Sequence, residues 1–351
     1  MTELNAVETR ANWIEVLGAV GAGREVSADG IGFAMGEIMS GRATDAQIAA
    51  FAFGIFAKGI TPAELDAAAT GMLSFASAVE APEVDRSVDI VGTGGDGAHT
   101  VNISTMTSVL VAAAGVPVIK HGNRAASSKS GGADMLEALG VNITENRIIA
   151  PGHPDFLLSF VFAAVHHPAM RFAGPVRGQL GVPTLFNLLG PLTNPAQPPA
   201  GLIGCAFANQ LDTMAGAYAR RGQRVLVVRG SDGLDEITIT GPTDVRVVEN
   251  GTVTPTTVAP EDFGLSTGSA DSLRGGDAAY NADVAKRFWN NELEGPIRDA
   301  VLLNAAASIA VAEGLHGASV HEGIATGLKR AQETLESGLC GRIVTDIVSA
   351  G

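Results

Sequence analysis

The sequence predicts an α/β fold class, with a small N-terminal all-helical domain over residues 1–80 and a large α/β domain over residues 81–351 built on a mostly parallel central sheet. Residues 1–80 carry apolar side chains at helical spacing. From residue 88 onward, short apolar runs typical of buried strands alternate with helical segments, and this alternation favours a parallel sheet. With 351 residues, 46% of them hydrophobic, the chain can form two domains and a large core.

Four helices are predicted in the N-terminal domain, at residues 13–17, 30–39, 45–56 and 62–72. Thr44 is a good N-cap for the third helix, and Thr61 with Pro62 and Glu64 has the pattern of a capped fourth helix. We assign a returning helical segment near residues 168–190 to the same domain. None of its residues is typical of catalysis, so we expect the domain to serve packing or subunit association.

The α/β domain is predicted element by element. Strands are expected at residues 88–91, 116–119, 160–165, 201–206 and 225–228, with short antiparallel strands within 237–270. Helices are expected from residue 102 or 104 to 115, over 133–139, from 145, over 172–180 and 211–221, and three times within 275–338. Strands and helices therefore alternate through most of this domain.

The composition excludes several classes of function. A net charge of −14 argues against a general nucleic-acid or membrane-surface binder, because binding to phosphate backbones requires a basic face. Cys205 and Cys340 are far apart and match no metal-binding spacing. The N-terminus lacks the pattern of a secretory signal, and no stretch approaches the roughly 20 apolar residues of a membrane span. We expect a cytoplasmic enzyme without nucleic-acid or membrane partners.

Two consecutive strand–loop–helix units bring polar loops to the same end of the sheet. Residues 92–97 read Gly-Thr-Gly-Gly-Asp-Gly and are followed by Asn102, Ser104 and Thr105 at a helix start. Residues 120–132 supply lysine, arginine and serine side chains. Hydroxyl and cationic groups beside the open amides of a helix N-terminus suit a ligand with several phosphates. A glycine-rich turn with an N-cap would explain one such loop, but not two in succession with a basic cluster.

Residues 92–97 also match the Gly-x-Gly-x-x-Gly fingerprint of dinucleotide-binding folds. Those folds open a helix within the glycines and place an acidic residue about 20 positions later for the ribose. Here the helix starts later, and the next strand ends in Lys120-His121. Asp96 would also repel a pyrophosphate unless a metal or a pair of hydroxyl groups intervened. We therefore favour a sugar phosphate bearing a pyrophosphate over a nicotinamide or flavin cofactor.

Other candidate site residues follow later strands. Asp235–Glu236 can hold Mg²⁺ against phosphate oxygens, although a solvated acidic turn is the alternative. Arg177 can pair bidentately with a carboxylate, or lie on the surface as most arginines do. His121, His166 and His167 have no zinc-binding spacing, and we expect His121 in the cleft as a packing or hydrogen-bonding group. The sequence predicts no general base.

Several long motifs resemble the anthranilate phosphoribosyltransferase family in the same order along nearly the whole chain. They cover residues 92–96, 102–105, 120–124, 133–140, 167–171, 186–195 and 234–236. The resemblance implies transfer of the phosphoribosyl group of PRPP (5-phosphoribosyl diphosphate) to the amine of anthranilate, the second step from chorismate to tryptophan. It also implies a nucleoside phosphorylase/phosphoribosyltransferase-like fold and a homodimer formed through the helical domains.

The same resemblance implies binding residues for both substrates. Anthranilate would contact Gly92, Asn123 and Arg177, with His121, His167 and Pro168 lining its path. Mg²⁺, expected as two ions per subunit, would be held by Ser104, Asp235 and Glu236. PRPP would contact Gly92, Gly95, Asp96, Thr100, Asn102, Ile103, Ser104, Thr105, Lys120, His121, Gly122, Asn123, Arg124, Ala125, Ala126, Ser127, Ser128 and Gly132.

Two departures from the family pattern and two rival functions remain. Many members have serine at the position of Gly132, so one phosphate donor is expected to be lost here or supplied by backbone, and Pro183–Thr184 replaces an Arg-Thr pair.

A pyrimidine-nucleoside phosphorylase would need a Lys-His-Ser type of loop instead of Lys120-His-Gly-Asn123. A non-catalytic nucleic-acid-binding relative is disfavoured by the net charge and by Asp235–Glu236.

Overall fold

The computed structural model describes residues 3–81, 83–124, 129–145, 148, 150 and 152–350. The N-terminal part is helical, as predicted. Ser27, Thr44 and Thr61 cap the second, third and fourth helices by accepting backbone N–H groups of the first turn. The helices of this part are α1 (Glu3–Gly21), α2 (Ala28–Met39), α3 (Asp45–Ala57) and α4 (Pro62–Leu73).

The α/β part is built on a seven-stranded sheet of order β3-β2-β1-β4-β5-β6-β7. The first five strands of that order are parallel, and the last two form an antiparallel hairpin on β5. The chain moves outward from β1 to one side through β2 and then to the other through β4, so the strand order reverses at β1. The strands are β1 (Val88–Gly92), β2 (Val118–Gly122), β3 (Leu158–Phe162), β4 (Ala200–Gly204), β5 (Arg224–Gly230), β6 (Thr243–Glu249) and β7 (Thr252–Val258).

Helices cover both faces of the sheet. One core joins one face to α5, α6 and the C-terminal helices, and the other joins Ile203, Val225 and Val227 of the opposite face to α10 and to the N-terminal helices. Helices α8 and α9 belong to that second core. The remaining helices are α5 (Ile103–Ala113), α6 (Gly132–Ala138), α7 (Ala163–His166), α8 (Gly174–Leu180), α9 (Leu185–Leu192), α10 (Leu211–Arg220), α11 (Ala278–Trp289), α12 (Pro296–Glu313), α13 (Val320–Glu336) and α14 (Leu339–Ala350).

The predicted fold class is confirmed, with three local differences. The apolar run at residues 160–165 is divided between the end of β3 and the short helix α7, because periodicity cannot separate strand from helix in a short buried run. Glu145 lies in a bend rather than at a helix start. Helix α14 was not predicted. Among the described residues, no helix combines the length and apolarity needed to cross a bilayer.

Candidate active site

The glycine-rich loop after β1 lies against the acidic turn after β5. Gly94 and Gly95 adopt the left-handed conformation, with φ of 66° and 85°, which glycine reaches without strain. The amide of Gly94 donates to Oδ2 of Asp235 at 2.7 Å. A Cβ at Gly92 would lie 2.2 Å from that same oxygen, so only glycine lets the loop and the carboxylate approach so closely. The two motifs therefore meet at the carboxyl end of the sheet.

Asp235 and Glu236 form a cluster of negative charge with Asp96. Burial and the charge of Asp96 raise the pKa of Asp235 to about 7. Burial and the charge of Asp235 raise the pKa of Glu236 to about 8, although Lys120 acts in the opposite direction. Buried neighbouring carboxylates resist ionisation because burial and their mutual repulsion outweigh the charge of Lys120, and a divalent cation would offset both effects.

The described residues contain no group of three His, Cys, Asp or Glu side chains arranged to hold a metal ion by themselves. Mg²⁺ in phosphate-handling sites is commonly held by one or two carboxylates together with phosphate oxygens of the substrate. The pair Asp235–Glu236 fits that second kind of site, because its remaining ligands would arrive with the substrate.

Lys120 lies between the loop after β1 and the acidic pair. Its side chain is buried, and its Nζ donates to the carbonyl of Ile90 at 2.5 Å and to Oγ of Ser104 at 3.1 Å. Burial lowers the pKa of Lys120, whereas the charges of Asp89 and Glu236 raise it. The amide of Ser104 donates to Glu236. Three predicted site residues, Ser104, Lys120 and Glu236, are thus brought together.

The N-terminus of α5 faces the same region. Ile103 is the first residue of the helix, but Asn102 at its cap makes no side-chain capping bond. Instead Asn102 donates to the carbonyl of Ser130 at 3.1 Å and accepts from Asn281 at 2.9 Å. The amide of Asn102 therefore links the second loop to α11. Thr100 pairs with Arg274 in an isolated β-bridge just before the helix.

The glycine at position 132 has a steric reason. A Cβ there would lie 2.4 Å from Oγ1 of Thr105. That hydroxyl is buried and has no hydrogen-bond partner among the described residues. Because the hydroxyl of Thr105 fills the space that a side chain at position 132 would need, a serine at this position would require Thr105 to change rotamer or one of the two elements to shift.

The second loop is described only in part. Asn123 accepts the backbone amide of Arg124 through Oδ1 at 2.8 Å. Arg124 donates to Asp134 at 3.0 Å and to Glu137 at 2.7 Å, so this arginine is paired with carboxylates of α6. Gly122 ends β2. The predicted PRPP contacts Ala125, Ala126, Ser127 and Ser128 lie outside the described residues.

The histidines near the second loop are buried. His121 shares a 2.9 Å hydrogen bond between Nδ1 and the carbonyl of Gly190, and burial lowers its pKa to about 3. The ring is therefore neutral, with Nδ1 as the donor, and Nε2 has no partner among the described residues. His167 donates from Nε2 to the carbonyl of Thr193 at 2.8 Å, and its ring centroid lies 5.3 Å from that of His121.

Arg177 lies on α8, close to the turn Pro168–Arg171 that follows His167. Its guanidinium carbon lies 5.7 Å from the centroid of the Phe186 ring. None of the described acidic residues forms an ion pair with it, and partial burial lowers its pKa. Arg177 is thus a half-buried cation held against an aromatic ring, available to an external carboxylate.

Sequence reasoning missed several residues that build this site. Asp89 is buried in β1 and accepts the amide of His121, and Asn194 donates to Asp89. The only sequence signal was a carboxylate inside an otherwise apolar strand. Gly204 was also missed, because it looks like an ordinary residue of an apolar strand, although a Cβ there would lie 1.7 Å from the carbonyl oxygen of Asp235.

Comparison with known proteins agrees with this geometry. Residues 84–340 match the family model "Glycosyl transferase family, a/b domain", and residues 14–76 match "Glycosyl transferase family, helical bundle domain". The anthranilate phosphoribosyltransferase of Corynebacterium jeikeium is 55% identical over 96% of this chain and 92% of its own length. That of Rhodococcus opacus is 53% identical over 95% of this chain and 91% of its own.

Solved structures agree as well. The crystal structure of anthranilate phosphoribosyltransferase from Thermus thermophilus is 38% identical and superposes with a TM-score of 0.84, covering 95% of this chain and 98% of that one. The Saccharomyces cerevisiae enzyme in complex with PRPP and Mg has the same fold, with a TM-score of 0.84 at 24% identity over 97% of this chain and 99% of that one. The chain belongs to the anthranilate phosphoribosyltransferase family.

Proposed function

We propose that the cleft at the carboxyl ends of β1, β2, β4 and β5 carries out the family's reaction, transfer of the phosphoribosyl group of PRPP to the amine of anthranilate. The observation that carries this assignment is the meeting of the glycine-rich loop, Lys120 and Asp235–Glu236 at one edge of the sheet. The near relatives do not favour the phosphorylase or the nucleic-acid-binding alternative.

PRPP binds, in our proposal, between the two loops. The pyrophosphate lies near the amide of Gly95 and the N-terminus of α5, where the helix dipole favours negative charge, while the amide of Gly94 holds Asp235. Lys120 contributes the positive charge. Asn102 acts indirectly, because both Nδ2 and Oδ1 of its side chain already bind the protein and hold the surrounding loops.

We propose that Asp235 and Glu236 hold Mg²⁺, with Ser104 beside them, and that two ions are bound per subunit. The yeast relative was solved with PRPP and Mg, and two adjacent carboxylates in a site that disfavours their ionisation are suited to a divalent cation. When bound, Mg²⁺ neutralises charge that develops on the departing pyrophosphate. The carboxylates of this chain set where that positive charge lies.

The reaction needs no strong base from the protein. The amine of anthranilate carries a free lone pair and attacks the ribosyl carbon on the face opposite the pyrophosphate, as the bond from that carbon to the pyrophosphate oxygen breaks. The extra proton on the nitrogen is then acidic enough to pass to water or to the departing pyrophosphate. Burial lowers the pKa of His121 to about 3, so the ring is neutral. It therefore adds no second positive charge beside Arg177 where anthranilate would bind. Positioning therefore accounts for much of the rate, since well-oriented reactants avoid the entropic cost of meeting in solution.

Anthranilate binds, in our proposal, through its carboxylate to Arg177, near Gly92, Asn123, His121, His167 and Pro168. Replacing Arg177 by alanine is expected to raise the anthranilate KM about 10- to 100-fold, because charged bidentate hydrogen bonds contribute about 1.5–3 kcal/mol. The PRPP KM is expected to change by less than about twofold, because in this proposal Arg177 binds the carboxylate of anthranilate and not the phosphates of PRPP. The measurement is loss of anthranilate fluorescence with PRPP and Mg²⁺.

Arg171 provides a matched control for this experiment. It is an exposed arginine of the adjacent turn, with its guanidinium carbon 4.7 Å from the centroid of the Phe172 ring. Arg171→Ala is expected to leave both KM values near those of the wild type. Equal changes in both KM values for Arg177→Ala would contradict its role, and no PRPP-dependent loss of anthranilate by the wild type would contradict the function.

We propose a homodimer formed through the N-terminal helices. Ile14 and Phe53 expose 65% and 46% of their surface on these helices, and a homodimer formed there would bury both side chains. Sedimentation is expected to give a mass about twice the 35.7 kDa of the chain, and Phe53→Gln to lower it towards that of a monomer. Tyr280→Gln is the control, because Tyr280 is 50% exposed but lies on α11, outside the N-terminal helices. A monomeric wild type would contradict the proposal.

Two further assignments complete the proposal. We set the domain boundary near residue 80, with the returning segment at 168–190 assigned to the helical domain, which is supported by the shared core of α8 and α9 with the N-terminal helices. We assign the enzyme to the cytoplasm, which is supported by Cys205 and Cys340, both unpaired and buried.

A further inference from the structure

The backbone ladder between β1 and β2 is shorter than the others in the parallel part of the sheet. The pairs β1–β4, β2–β3 and β4–β5 each run in register over five residues. β1 and β2 pair only at Val88 and Val118. Continued in that register, Ile90 would donate its N–H to the carbonyl of Ile119 and accept the amide of His121. The ladder therefore stops where the proposed substrate cleft begins.

Asp89 satisfies two of the four backbone groups that the ladder leaves unpaired. Its Oδ1 accepts the amide of His121 at 3.0 Å, and its carboxylate also accepts the amide of Ile90. Both amides would have pointed at the opposite strand in a regular ladder. Because a buried amide without an acceptor is costly, a carboxylate at this position allows the two strands to stop pairing.

Asn194 and Lys120 satisfy the other two groups. Nδ2 of Asn194 donates to the carbonyl of Ile119 at 2.8 Å, and Nζ of Lys120 donates to the carbonyl of Ile90 at 2.5 Å. Three side chains thus replace the hydrogen bonds that backbone would otherwise make. In a regular ladder the carbonyl of Ile90 would already be bonded, and Lys120 would lose this acceptor.

Asn194 also connects this side-chain ladder to the segment that returns from the helical domain. It follows α9, and its Nδ2 donates to Oδ2 of Asp89 at 2.9 Å. Both side chains are 4% exposed. The neighbouring cavity, lined in part by Asp89, Asn194 and Tyr218, has a volume of about 10 Å³, room for about one water. Neither side chain has space to find another partner.

We propose that Asp89 and Asn194 are positioning residues for phosphoribosyl transfer, because they replace the missing ladder between β1 and β2 and so fix where Lys120 and His121 lie beside the glycine-rich loop. This inference rests on the proposed function of the cleft. Neither residue touches substrate. Each acts through the end of β2, whose side chains lie at the proposed PRPP and anthranilate positions.

The chemistry of Asp89 cannot be supplied by an amide. Its two oxygens accept from three donors, the amides of Ile90 and His121 and the side chain of Asn194. Asparagine at position 89 would offer one accepting oxygen and turn an NH₂ group towards another donor. Conversely, aspartate at position 194 would face the carboxylate of Asp89. Exchanging both residues restores a donor and an acceptor between positions 89 and 194.

These relations define the experiment. Asp89→Asn and Asn194→Asp are each expected to lower kcat/KM for PRPP about 100-fold, the effect of misplacing a substrate-binding group by about 1 Å. The double variant Asp89→Asn/Asn194→Asp is expected to recover at least about tenfold over either single variant, because contacting residues are not additive. Recovery is incomplete, since Ile119 loses its donor. All kinetics are measured well below the Tm of each variant.

Glu64 provides the control for a merely structural effect. It is a buried carboxylate of the helical domain that accepts the amide of Val26 at 2.7 Å and pairs with the buried Lys58 at 2.7 Å. Glu64→Gln is expected to lower Tm by a similar amount to Asp89→Asn while leaving the PRPP kinetics within about twofold of the wild type.

Hydrogen exchange separates this inference from the proposed function. The amides of Ile90 and His121 are expected to exchange at least about tenfold faster in Asp89→Asn than in the wild type, and to recover in the double variant. If exchange changes as expected but the protein has no PRPP-dependent activity, the proposed function and the positioning role are refuted. The replacement of backbone hydrogen bonds by side chains between β1 and β2 would still stand. Unchanged exchange, unchanged PRPP kinetics in the single variants, or no recovery in the double variant would overturn the inference.

Discussion

Replacing Gly204 by alanine is expected to lower kcat/KM for PRPP by about 100-fold or more, because displacing catalytic groups by about 1 Å has that effect. A Cβ at this position would lie 1.7 Å from the carbonyl oxygen and 2.5 Å from the carbonyl carbon of Asp235. Those atoms are backbone and cannot rotate away. Either β4 or the turn after β5 must move, and the acidic pair moves with that turn.

The same substitution is expected to lower the Tm by about 1–4 °C, since overpacking costs about 1–3 kcal/mol. Gly92→Ala separates the two effects. Its Cβ would lie 2.2 Å from Oδ2 of Asp235, the end of a side chain that can turn aside, and 3.1 Å from the carbonyl oxygen of that residue. We therefore expect lost activity with a smaller fall in Tm than for Gly204→Ala. The measurements are thermal unfolding and steady-state kinetics with varied PRPP.

Gly36→Ala is the matched control for both glycine variants. Gly36 lies inside α2 with no atom within 4 Å of an added Cβ, and alanine there is expected to stabilise the helix by about 0.5–1 kcal/mol without affecting kinetics. Gly204→Ala with wild-type activity would contradict the packing argument. It would mean that the turn carrying Asp235 can shift without consequence for the reaction.

Gly204 illustrates what the sequence could and could not predict. The glycine-rich loop and Asp235–Glu236 were predicted because their residue types follow strands at spacings typical of phosphate and metal sites. A glycine inside an apolar strand carries no such signal. Its importance comes from a turn more than 30 residues later folding back against it, which is a tertiary contact that local patterns do not encode.

Asp89 and Asn194 show the same limit for polar contacts. They are 105 positions apart, and their bond depends on the end of the β1–β2 ladder. The strand itself was predicted from its apolar pattern, but a pattern states neither where a ladder stops nor which side chain replaces it. Asn102 was predicted to contact phosphates from its place at a helix start and from the family resemblance, and the structure shows its amide bound to Ser130 and Asn281. Pairings of this kind become visible only in three dimensions.

Replacing Glu236 by glutamine is expected to lower kcat/KM for PRPP by about 10²–10³-fold, the effect of removing one preorganised group that stabilises developing charge. The variant keeps the shape of the side chain and removes its charge. Glu236 accepts the amide of Ser104 and lies near Lys120, so glutamine also removes a carboxylate that, once ionised, raises the pKa of this lysine. Glu333→Gln on the exposed face of α13 is the control for loss of one negative charge.

The pH dependence of metal binding tests the same pair independently of activity. The folded protein retains protons on Asp235 and Glu236 up to pH values of about 7 and about 8, whereas the unfolded chain releases them near pH 4. Between those values the folded state binds more protons, so these two groups make the metal-free protein less stable as pH rises. Mg²⁺ competes with the protons, and its binding is therefore stronger at high pH.

We consequently expect Mg²⁺ to raise the Tm more at pH 8.5 than at pH 6.5, with inorganic pyrophosphate present to complete the coordination. Glu236→Gln is expected to reduce this difference, because one of the two titrating carboxylates is gone, and Glu333→Gln is expected to preserve it. If Mg²⁺ raises the Tm of the wild type equally at both pH values, Mg²⁺ is not bound by this acidic pair. The positive charge opposite the pyrophosphate would then have to come from Lys120 and the backbone amides of the glycine-rich loop, a weaker neutralisation of the same leaving group.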